Sequence, residues 1–488
     1  MRHFLAFDLG AESGRAMLGT LAGGRLSLEE LHRFANQPVS LPNGLYWDAF
    51  RLFHEINEGL RIAGRERKLT LDGVAVDTWG VDYGLLGADG ALIENPRHYR
   101  DSRTLGMFEK TFQVISRAEI FAETGLQFME LNSLFQLYAS KLAGSPGLQN
   151  ATRLLFMPDL LSYWLSGVAK NELTIASTSH IYNPVKKQWA GKLLQALGLP
   201  QRLFGEIVPP GERLGDLREE LRDRAGLSRT PVYATASHDT AAAVAAVPAE
   251  PGDDWCYISS GTWSLMGVEL EHPLINDHVL RFNYTNEVGA AGRIRLLKNI
   301  AGLWLVQECR RAWELEGDPH TYEELTRLAA AAPSSTSFLN PDAFLTPGNM
   351  PRRIADYCLQ TGQQAPKGPG EIVRMILESL ALRYRQVLEG MESVLGRPLK
   401  VIHIVGGGSK NGLLDQLVAD ATGKRVVAGP TEATAAGNIL VQAMGAGEIS
   451  NLEALRIVSA RSFELATYHP RPDSHWDQAA RKFAELTG

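Results

Sequence analysis

The chain contains 488 residues, of which 44% are hydrophobic and 21% are charged, and its formal net charge is −6. This length predicts roughly two to three domains, and the composition is ordinary for a globular protein. Because the charge is mild and no run of Lys or Arg is interleaved with aromatic residues, nucleic acid is not an expected partner.

Membrane insertion and disulfide bonding are also not expected. No stretch approaches the ~18 apolar residues that a membrane span needs, and the apolar start of the chain is too short for the core of a signal peptide. The three cysteines, Cys256, Cys309 and Cys358, are far apart and form no CxxC pair. This pattern argues against a disulfide framework and a zinc site, and it favours a cytoplasmic protein.

The N-terminal part of the chain predicts three strands joined by tight turns. Residues 3–9 read as a buried strand that ends in Asp8-Leu9-Gly10, residues 11–15 as a turn, and residues 16–21 and 25–33 as two further strands. This is an antiparallel start, whereas a βαβ nucleotide-binding fold would enter a helix directly.

A helix and a fourth strand follow. Helical periodicity from Trp47 to Arg65 predicts a core-facing set of apolar residues, namely Phe50, Leu52, Phe53, Ile56 and Leu60. Residues 73–77 form the next predicted strand, which leads into the polar, glycine-bearing loop 78–84. Residues 95–235 are predicted to be mostly helix and loop, and they end in a short strand at 232–235.

Residues 248–254 are rich in turn formers and mark the best candidate for a domain boundary. They separate a predicted N-terminal domain, residues 1–247, from a predicted C-terminal domain, residues 248–488. Strands at 255–258 and 263–268, with a hydroxyl-rich turn between them, repeat the hairpin of the N-terminus.

The helix and strand of the first half also have a counterpart in the second half. The long helix from Glu371 to Leu395 precedes a buried strand that starts at Leu399 and ends in Gly406-Gly407-Gly408. Two halves with the same order of elements predict a duplicated fold.

The stretch Ala236-Ser237-His238-Asp239-Thr240 places a carboxylate beside a histidine and two hydroxyls, at the start of a helix of small residues. An Asp at a helix start accepts backbone N–H bonds and interacts favourably with the helix dipole, so Asp239 is expected to be ionised near neutral pH. On the local sequence alone, capping of a buried helix by Asp239 or Ser237 explains the same residues. Adjacent residues cannot form a serine-hydrolase triad, and GxSxG is absent.

The hairpin turns of the two halves are candidate phosphate sites. Turns rich in hydroxyls and glycine expose consecutive backbone N–H groups, which suit phosphate oxygens. Asp8, at the end of a buried strand, is a plausible partner of Mg²⁺, usually through water. Two ordinary hairpins are the alternative interpretation.

The glycine triplet Gly406-Gly407-Gly408 lies between a predicted strand and the predicted helix 413–422. This arrangement can bind the phosphates of a nucleotide or let adenosine approach the backbone, and a tight strand–helix turn is the alternative. The triplet matches neither GxxxxGK[ST] nor GxGxxG. The small residues of 429–438 predict another helix start, with close helix packing as its alternative.

Residues 298–308 are predicted to be helical, with Asn299, Leu303 and Gln307 on one stripe. Two amides on an apolar helix suit hydrogen bonding to a sugar or a nucleotide, and satisfied core amides are the alternative. The histidines have no metal-ligand spacing such as HxxxH, so none is predicted to bind a metal.

Together these stretches resemble the FGGY family of carbohydrate kinases, in the sugar-kinase/actin/heat-shock ATPase superfamily. The resemblance rests on Asp8–Arg15, Asp77–Tyr83, Ser237–Ala241 and Ser260–Ser264, in the right order over nearly the whole chain. Gly406–Asn411 with Glu432–Gly437 is similar to the general signature of the family, and the second signature, at 157–165, is matched loosely. Within the family the Ser-His-Asp form resembles kinases of L-rhamnulose, with kinases of fuculose, xylulose or ribulose as alternatives.

The resemblance implies an α/β fold with two RNase-H-like (actin-like ATPase) domains that close over a cleft. It implies transfer of the γ-phosphoryl group of ATP, with Mg²⁺, to the 1-hydroxyl of a ketose. The N-terminal domain would carry the sugar site and the base, and the C-terminal domain would bind the nucleotide. A monomer and a homodimer both remain open.

The resemblance also implies roles for individual residues. Asp239 would be the general base and Asp8 would lie near Mg²⁺ and the phosphates. The implied sugar contacts are Gly80, His238, Asp239, Thr240 and Asn299. The implied ATP contacts are Ser13, Gly14, Arg15, Ala16, Thr262, Gln307, Gly406 and Gly407.

Two other classes of protein are weighed against a sugar kinase. An actin- or chaperone-like ATPase would use the same nucleotide cradle, but the chain has no added peptide-binding domain after residue 470. Assignment to the NAD-dependent oxidoreductases would rest on the glycine triplet alone. The antiparallel start and the missing GxGxxG argue against this assignment.

Overall fold

The computed structural model describes residues 1–250, 252, 254–472 and 475–487. Pro251 and Asp253 of the predicted boundary lie outside the described residues. The chain divides into two compact units. The first comprises Met1–Pro248, Glu269–Leu296 and Ala433–Ser462, and the second comprises Ala249–Val268, Leu297–Glu432 and Phe463–Gly488.

The strands are β1 Arg2–Leu9, β2 Ser13–Ala22, β3 Arg25–Ala35, β4 Val39–Leu41, β5 Gly44–Tyr46, β6 Gly73–Thr78, β7 Tyr83–Leu86, β8 Arg153–Phe156, β9 Asn171–Glu172, β10 Tyr182–Asn183, β11 Gln188–Trp189, β12 Ile207–Val208, β13 Arg213–Asp216, β14 Pro231–Tyr233, β15 Trp255–Ser260, β16 Trp263–Leu270, β17 Thr285–Val288, β18 Ile294–Ala301, β19 Val401–Val405, β20 Arg425–Ala428 and β21 Ala466–Tyr468.

The helices are α1 Ala49–Arg61, α2 Met107–Phe112, α3 Arg117–Thr124, α4 Ser133–Leu142, α5 Pro146–Asn150, α6 Met157–Ser166, α7 Leu173–Ala176, α8 Gly191–Ala196, α9 Glu219–Ala225, α10 Asp239–Ala245, α11 Asp277–Phe282, α12 Trp304–Leu315, α13 Tyr322–Ala331, α14 Met350–Gln360, α15 Gly368–Leu395, α16 Gly412–Thr422, α17 Ala433–Gly445, α18 Leu452–Ser462 and α19 His475–Thr487. A short π-helical segment, Ile62–Glu66, continues α1.

The first unit contains a six-stranded sheet in the order β13-β14-β6-β1-β2-β3. β2 is antiparallel to both β1 and β3, whereas β6 is parallel to β1 and β14 is parallel to β6. The antiparallel start predicted from the sequence is therefore confirmed. Because β1, β6 and β14 run in the same direction, their carboxyl ends meet at one edge of the sheet.

The sheet of the second unit repeats this pattern. Its strands β16, β15, β19, β20 and β21 are neighbours in this order, with β18 beside β16. β15 is antiparallel to β16, β19 is parallel to β15 and β20 is parallel to β19. The outer strand β21 is antiparallel to β20, as β13 is to β14. The predicted duplication is confirmed at the level of topology.

In each unit a helix precedes the second parallel strand, as predicted. α1 leads to β6 and buries Leu52, Ile56 and Leu60, while α15 leads to β19. The prediction that Phe50 faces the core is wrong, because its side chain is 59% exposed and stacks on the ring of Trp164. No helix among the described residues is long and apolar enough to cross a membrane.

The predicted helix at 298–308 is also wrong in its first half. Residues up to Ala301 belong to β18, and α12 begins only at Trp304. A Cβ atom at Gly302 would lie 2.6 Å from the Ser264 hydroxyl and 2.7 Å from the Trp263 carbonyl carbon, so the chain turns where β18 meets β16 closely. Asn299 therefore lies on a strand and shares no helical stripe with Gln307.

Candidate active site

Asp239 is the first residue of α10, and the segment 234–238 that precedes it is anchored at the carboxyl end of β6. The backbone N–H of Thr78 donates to the carbonyl of Ser237 at 2.9 Å. The N–H of Ser237 donates to the buried carboxylate of Glu172 at 3.2 Å. These bonds fix the start of α10 beside the edge where β1 and β6 end.

The carboxylate of Asp239 is partly buried and carries a raised pKa. Burial raises the pKa of Asp239 to about 7, with a smaller contribution from the charge of Asp8. The side chain remains 30% exposed, so it can still reach a ligand. The expectation that Asp239 is ionised near neutral pH therefore holds only above about pH 7, because the cost of burying the charge exceeds the gain from the helix start.

The capping interpretation of this stretch is also incomplete. The N-cap residue of α10 is His238, whose side chain makes no capping bond. The N–H of Thr240 donates to Oδ1 of Asp239, and so does the Thr240 hydroxyl at 3.0 Å. Both bonds fall on Oδ1, so Oδ2 is the oxygen left to accept a proton.

Asp8 and Asp77 form a second acidic group at the same edge. They are direct neighbours in the register of the parallel strands β1 and β6. Asp8 pairs with Arg15 across the hairpin at 2.5 Å, which offsets its charge. Asp77 is fully buried and accepts a 2.6 Å bond from the side-chain amide of Asn438, while its Oδ1 has no hydrogen-bond partner among the described residues. Burial, and then the nearby Asp8, raise the pKa of Asp77 well above its ordinary value.

Three of the predicted sugar contacts lie beside Asp239 in the first unit. Thr240 bonds to it directly, and Nε2 of His238 is 3.5 Å from its Oδ1. A Cβ atom at Gly80 would lie 3.3 Å from the Thr178 hydroxyl oxygen and 3.4 Å from this same Nε2, so Gly80 lies close to the imidazole ring. Asn299, the remaining candidate, lies on β18 in the second unit.

The loop that carries Gly80 is held in place by the buried carboxylate of Asp82. This carboxylate accepts hydrogen bonds from the indole N–H of Trp47 at 2.6 Å, from that of Trp79 at 3.0 Å and from the side-chain amide of Gln136 at 2.9 Å. Burial raises the pKa of Asp82 to about 6. These three hydrogen bonds hold the loop in place beside the site.

Two charged residues at the site were missed from the sequence, Glu287 and Arg295. Arg295 is 0% exposed, donates to Nδ1 of His238 at 3.1 Å and pairs with Glu287 at 3.1 Å. A charged residue inside the apolar run Ile294-Arg295-Leu296-Leu297 was a usable signal. Its partner could not be read from the sequence, since it lies on a different strand.

The predicted phosphate contacts at 13–16 lie on β2. Gly14 packs against the ring of Phe34 and is buried, and Ala16 is 0% exposed. Only Ser13 and Arg15 of this set are partly exposed. Gly14 and Ala16 are buried in this structure, and their role as ATP contacts stays a prediction.

The second unit contains a cavity of about 770 Å³ that includes two of the predicted nucleotide contacts. Gln307 on α12 and Gly407 after β19 both line it, together with apolar side chains such as Leu303 and Val306. Oε1 of Gln307 is buried and has no hydrogen-bond partner among the described residues. A largely apolar cavity with a few convergent polar groups suits a flat, polar-edged ligand such as a nucleobase.

The other two candidate nucleotide contacts, Thr262 and Gly406, are sequence neighbours of residues that line this cavity. Thr262 is partly exposed at the tip of the β15–β16 hairpin, next to Gly261 in the cavity wall. Gly406 has a φ of 85°, a conformation that favours glycine, and a Cβ there would lie 3.0 Å from the Ser260 carbonyl oxygen. The structure thus gathers Thr262, Gln307, Gly406 and Gly407 in the second unit.

Comparisons with known proteins agree with this layout. Models of the FGGY family of carbohydrate kinases match residues 3–246 with the N-terminal domain and residues 256–446 with the C-terminal domain. The rhamnulokinase of Bacteroides thetaiotaomicron is 46% identical over 480 residues, covering 98% of each chain. That of Oceanobacillus iheyensis is 40% identical over 465 residues, covering 95% of this chain and 97% of its own.

Solved structures with low sequence identity share the fold. The xylulose kinase from Lactobacillus acidophilus has a TM-score of 0.82 at 15% identity, covering 100% of this chain and 97% of its own. Glycerol kinase of Plasmodium falciparum with ADP has a TM-score of 0.78 at 14% identity, with the same coverage. The predicted α/β fold with two RNase-H-like domains is confirmed.

Proposed function

Because the chain belongs to the FGGY family of carbohydrate kinases, we propose that it transfers the γ-phosphoryl group of ATP to the 1-hydroxyl of L-rhamnulose. The observation that carries the reaction type is the carboxylate of Asp239, partly exposed at a helix start beside Gly80 and His238, with a pKa near neutrality. The choice of sugar follows the curated relatives described above.

We assign separate tasks to the two halves of the chain. The domain at 1–247 would bind the sugar and supply the base, since Gly80, His238 and Asp239 lie together there. The domain at 248–488 would bind the nucleotide in the cavity lined by Gln307 and Gly407. The adenine ring would lie against the apolar side chains of this cavity. Asn299, on β18, stays a predicted sugar contact.

Asp239 acts as the proton acceptor in this proposal. The transition state of phosphoryl transfer is loose, so the hydroxyl keeps its proton until late and needs orientation first. Oδ1 is held by the N–H and the hydroxyl of Thr240, which leaves Oδ2 to receive the hydroxyl hydrogen bond and then the proton. A pKa near the working pH is what general-base catalysis favours.

ATP enters as its Mg²⁺ complex, so the metal belongs to the substrate. Mg²⁺ is usually bound through one or two carboxylates together with substrate phosphates and water. Asp8, at the end of β1, is a carboxylate of this kind, and the described residues contain no group of three or more acidic, His or Cys side chains that could hold a metal alone. Mg²⁺ neutralises charge on the transferring group, and Ser13 and Arg15 would add polar contacts.

The rate should depend on pH through Asp239. Since its pKa is raised to about 7 and the reaction needs the ionised form, kcat/KM for the sugar should fall about tenfold per pH unit below about pH 7 and reach a plateau above it. Steady-state rates between about pH 5.5 and 8.5 test this. A profile that stays flat down to the acid end would show that the base ionises with an ordinary Asp pKa.

A coupled ADP-release assay with a panel of ketoses tests the function. We expect ATP consumption to be low without sugar and to rise most with L-rhamnulose, compared with fuculose, xylulose and ribulose. Highest kcat/KM with another ketose would refute the choice of sugar but keep the kinase. ATP consumption that no sugar stimulates would refute the kinase assignment itself.

A cytoplasmic location is also proposed, since Cys256, Cys309 and Cys358 are buried free thiols.

A further inference from the structure

Both ring nitrogens of His238 lie close to charged groups. Nδ1 faces the guanidinium of Arg295 at 3.1 Å and the carboxylate of Glu287 at 3.4 Å. Nε2 lies 3.5 Å from Asp239 and close to Gly80. The backbone N–H of His238 donates to the hydroxyl of Thr174 at 3.1 Å, which holds the main chain of the segment that carries the ring.

The contact with Arg295 decides which ring nitrogen carries the proton. A guanidinium has only donors and stays protonated in proteins, so Nδ1 must act as the acceptor in this hydrogen bond. The proton of the neutral ring therefore sits on Nε2. Glu287 does not reverse this assignment, because its Oε2 lies 3.4 Å from Nδ1, farther than Nη2 of Arg295 at 3.1 Å. Burial and the nearby Arg295 also lower the pKa of His238 well below its ordinary value, which keeps the ring neutral.

We propose that Glu287 and Arg295 are positioning residues that lock His238 as its Nε2–H tautomer and direct this N–H toward the sugar beside Asp239. This inference rests on the proposed function. The Nε2–H would donate to a sugar oxygen next to the reacting hydroxyl, and the ring could not compete with Asp239 for the proton. His238 would therefore orient the sugar without acting as a base.

The pair is a poor candidate for a purely structural role. Arg295 is 0% exposed, yet its Nε and Nη1 have no hydrogen-bond partner among the described residues. Burying a cation with incomplete hydrogen bonding is unfavourable, and replacing a buried ion pair with uncharged residues is often neutral or stabilising. A third bond from Arg295, to the carbonyl of Val288 at 3.3 Å, fixes the guanidinium but does not satisfy these nitrogens. A positioning role explains why the pair is placed against His238.

The test compares two double variants with the unmodified protein. In E287Q/R295M both charges at His238 are removed together, so neither is left buried alone. In the matched control, E269Q/R456M, a second pair of the same types in the same unit is removed, with side chains 8% and 12% exposed and a contact of 2.6 Å. The readouts are kcat and KM for each substrate, and the long-range ¹H–¹⁵N correlation spectrum of ring-labelled histidine. A His238→Gln sample assigns the resonances.

We expect Nδ1 of His238 to be non-protonated and Nε2 protonated in the unmodified protein, with a mixture of tautomers in E287Q/R295M. That variant should lose about 10- to 100-fold in kcat/KM for the sugar, since small misplacements at the reacting centre can cost ~10²-fold, and should keep KM for ATP. The control should change neither readout. Arg295→Lys should recover part of the loss, because a lysine retains a donor but not the planar fork.

A protonated Nδ1 in the unmodified protein would overturn the inference even if a variant failed to fold. So would a folded E287Q/R295M with unchanged kcat/KM and spectrum. Failure of this inference can be told apart from failure of the proposed function. The histidine spectrum gives the tautomer of His238 even if the protein phosphorylates no ketose.

Discussion

Replacing Asp239 with Asn is expected to lower kcat by at least about 10²- to 10⁴-fold, the range typical of general-base catalysis. The amide keeps the size of the side chain, and its oxygen can still accept the two bonds from Thr240. It cannot take up the proton of the sugar hydroxyl at neutral pH. Binding of ATP and sugar should therefore persist while turnover is lost.

The measurement combines the ADP-release assay with ligand binding by calorimetry. Asp223→Asn is a matched control, because this residue is exposed on α9 and contacts Arg65 only through its backbone carbonyl. The control should retain the kcat of the unmodified protein. Turnover close to normal in a folded Asp239→Asn variant would remove Asp239 from the role of base.

Replacing Gly437 with Ala is expected to destabilise the first unit and to displace the catalytic helix. Gly437 lies on α17 against α10, and a Cβ there would fall far inside contact distance of the Ala242 carbonyl oxygen and 2.5 Å from its carbon. Overpacking typically costs about 1–3 kcal/mol. The better helix propensity of Ala offsets about 1 kcal/mol of this. A shift of α10 that relieves this clash would also displace Asp239, the first residue of the helix. We therefore expect kcat to fall as well.

Thermal unfolding and the ADP-release assay measure the two effects on the same samples. Gly191→Ala serves as the control, because a Cβ at this helical glycine would meet only the side chain of Gln201, at 3.7 Å. We expect a lower unfolding midpoint and a lower kcat for Gly437→Ala alone. An unchanged midpoint would show that α10 and α17 are not in backbone contact at Gly437.

The strands of the two sheets could be predicted because their signals are local. Alternating or continuous apolar runs bounded by glycine turns predict β1, β2 and β3, and the same pattern repeats at β15 and β16. The helix start predicted within 429–438 is confirmed, because α17 begins at Ala433, and Gly437 also packs closely against α10. The apolar run from Ile294 to Val306 fits a strand and a helix equally well in its periodicity, so the break at Gly302 was missed.

The candidate site could be predicted only in part. The residues of one stretch, His238, Asp239 and Thr240, were found together because they are adjacent in the chain. The pKa of Asp239 was not predictable, since it depends on burial and on Asp8, more than two hundred positions away. The partners of His238 were missed for the same reason, because Arg295 lies 57 positions along the chain and reaches it only in the folded unit.

The central claim is phosphoryl transfer from ATP to O1 of L-rhamnulose, and the product itself tests it most directly. The protein is incubated with Mg²⁺, ATP and ¹³C-labelled L-rhamnulose, and the mixture is followed by ¹³C and ³¹P NMR. We predict one sugar phosphate for each ADP formed, with the C1 resonance split by coupling to phosphorus. ADP without a sugar phosphate, or coupling at a carbon other than C1 and its neighbour C2, would contradict the account.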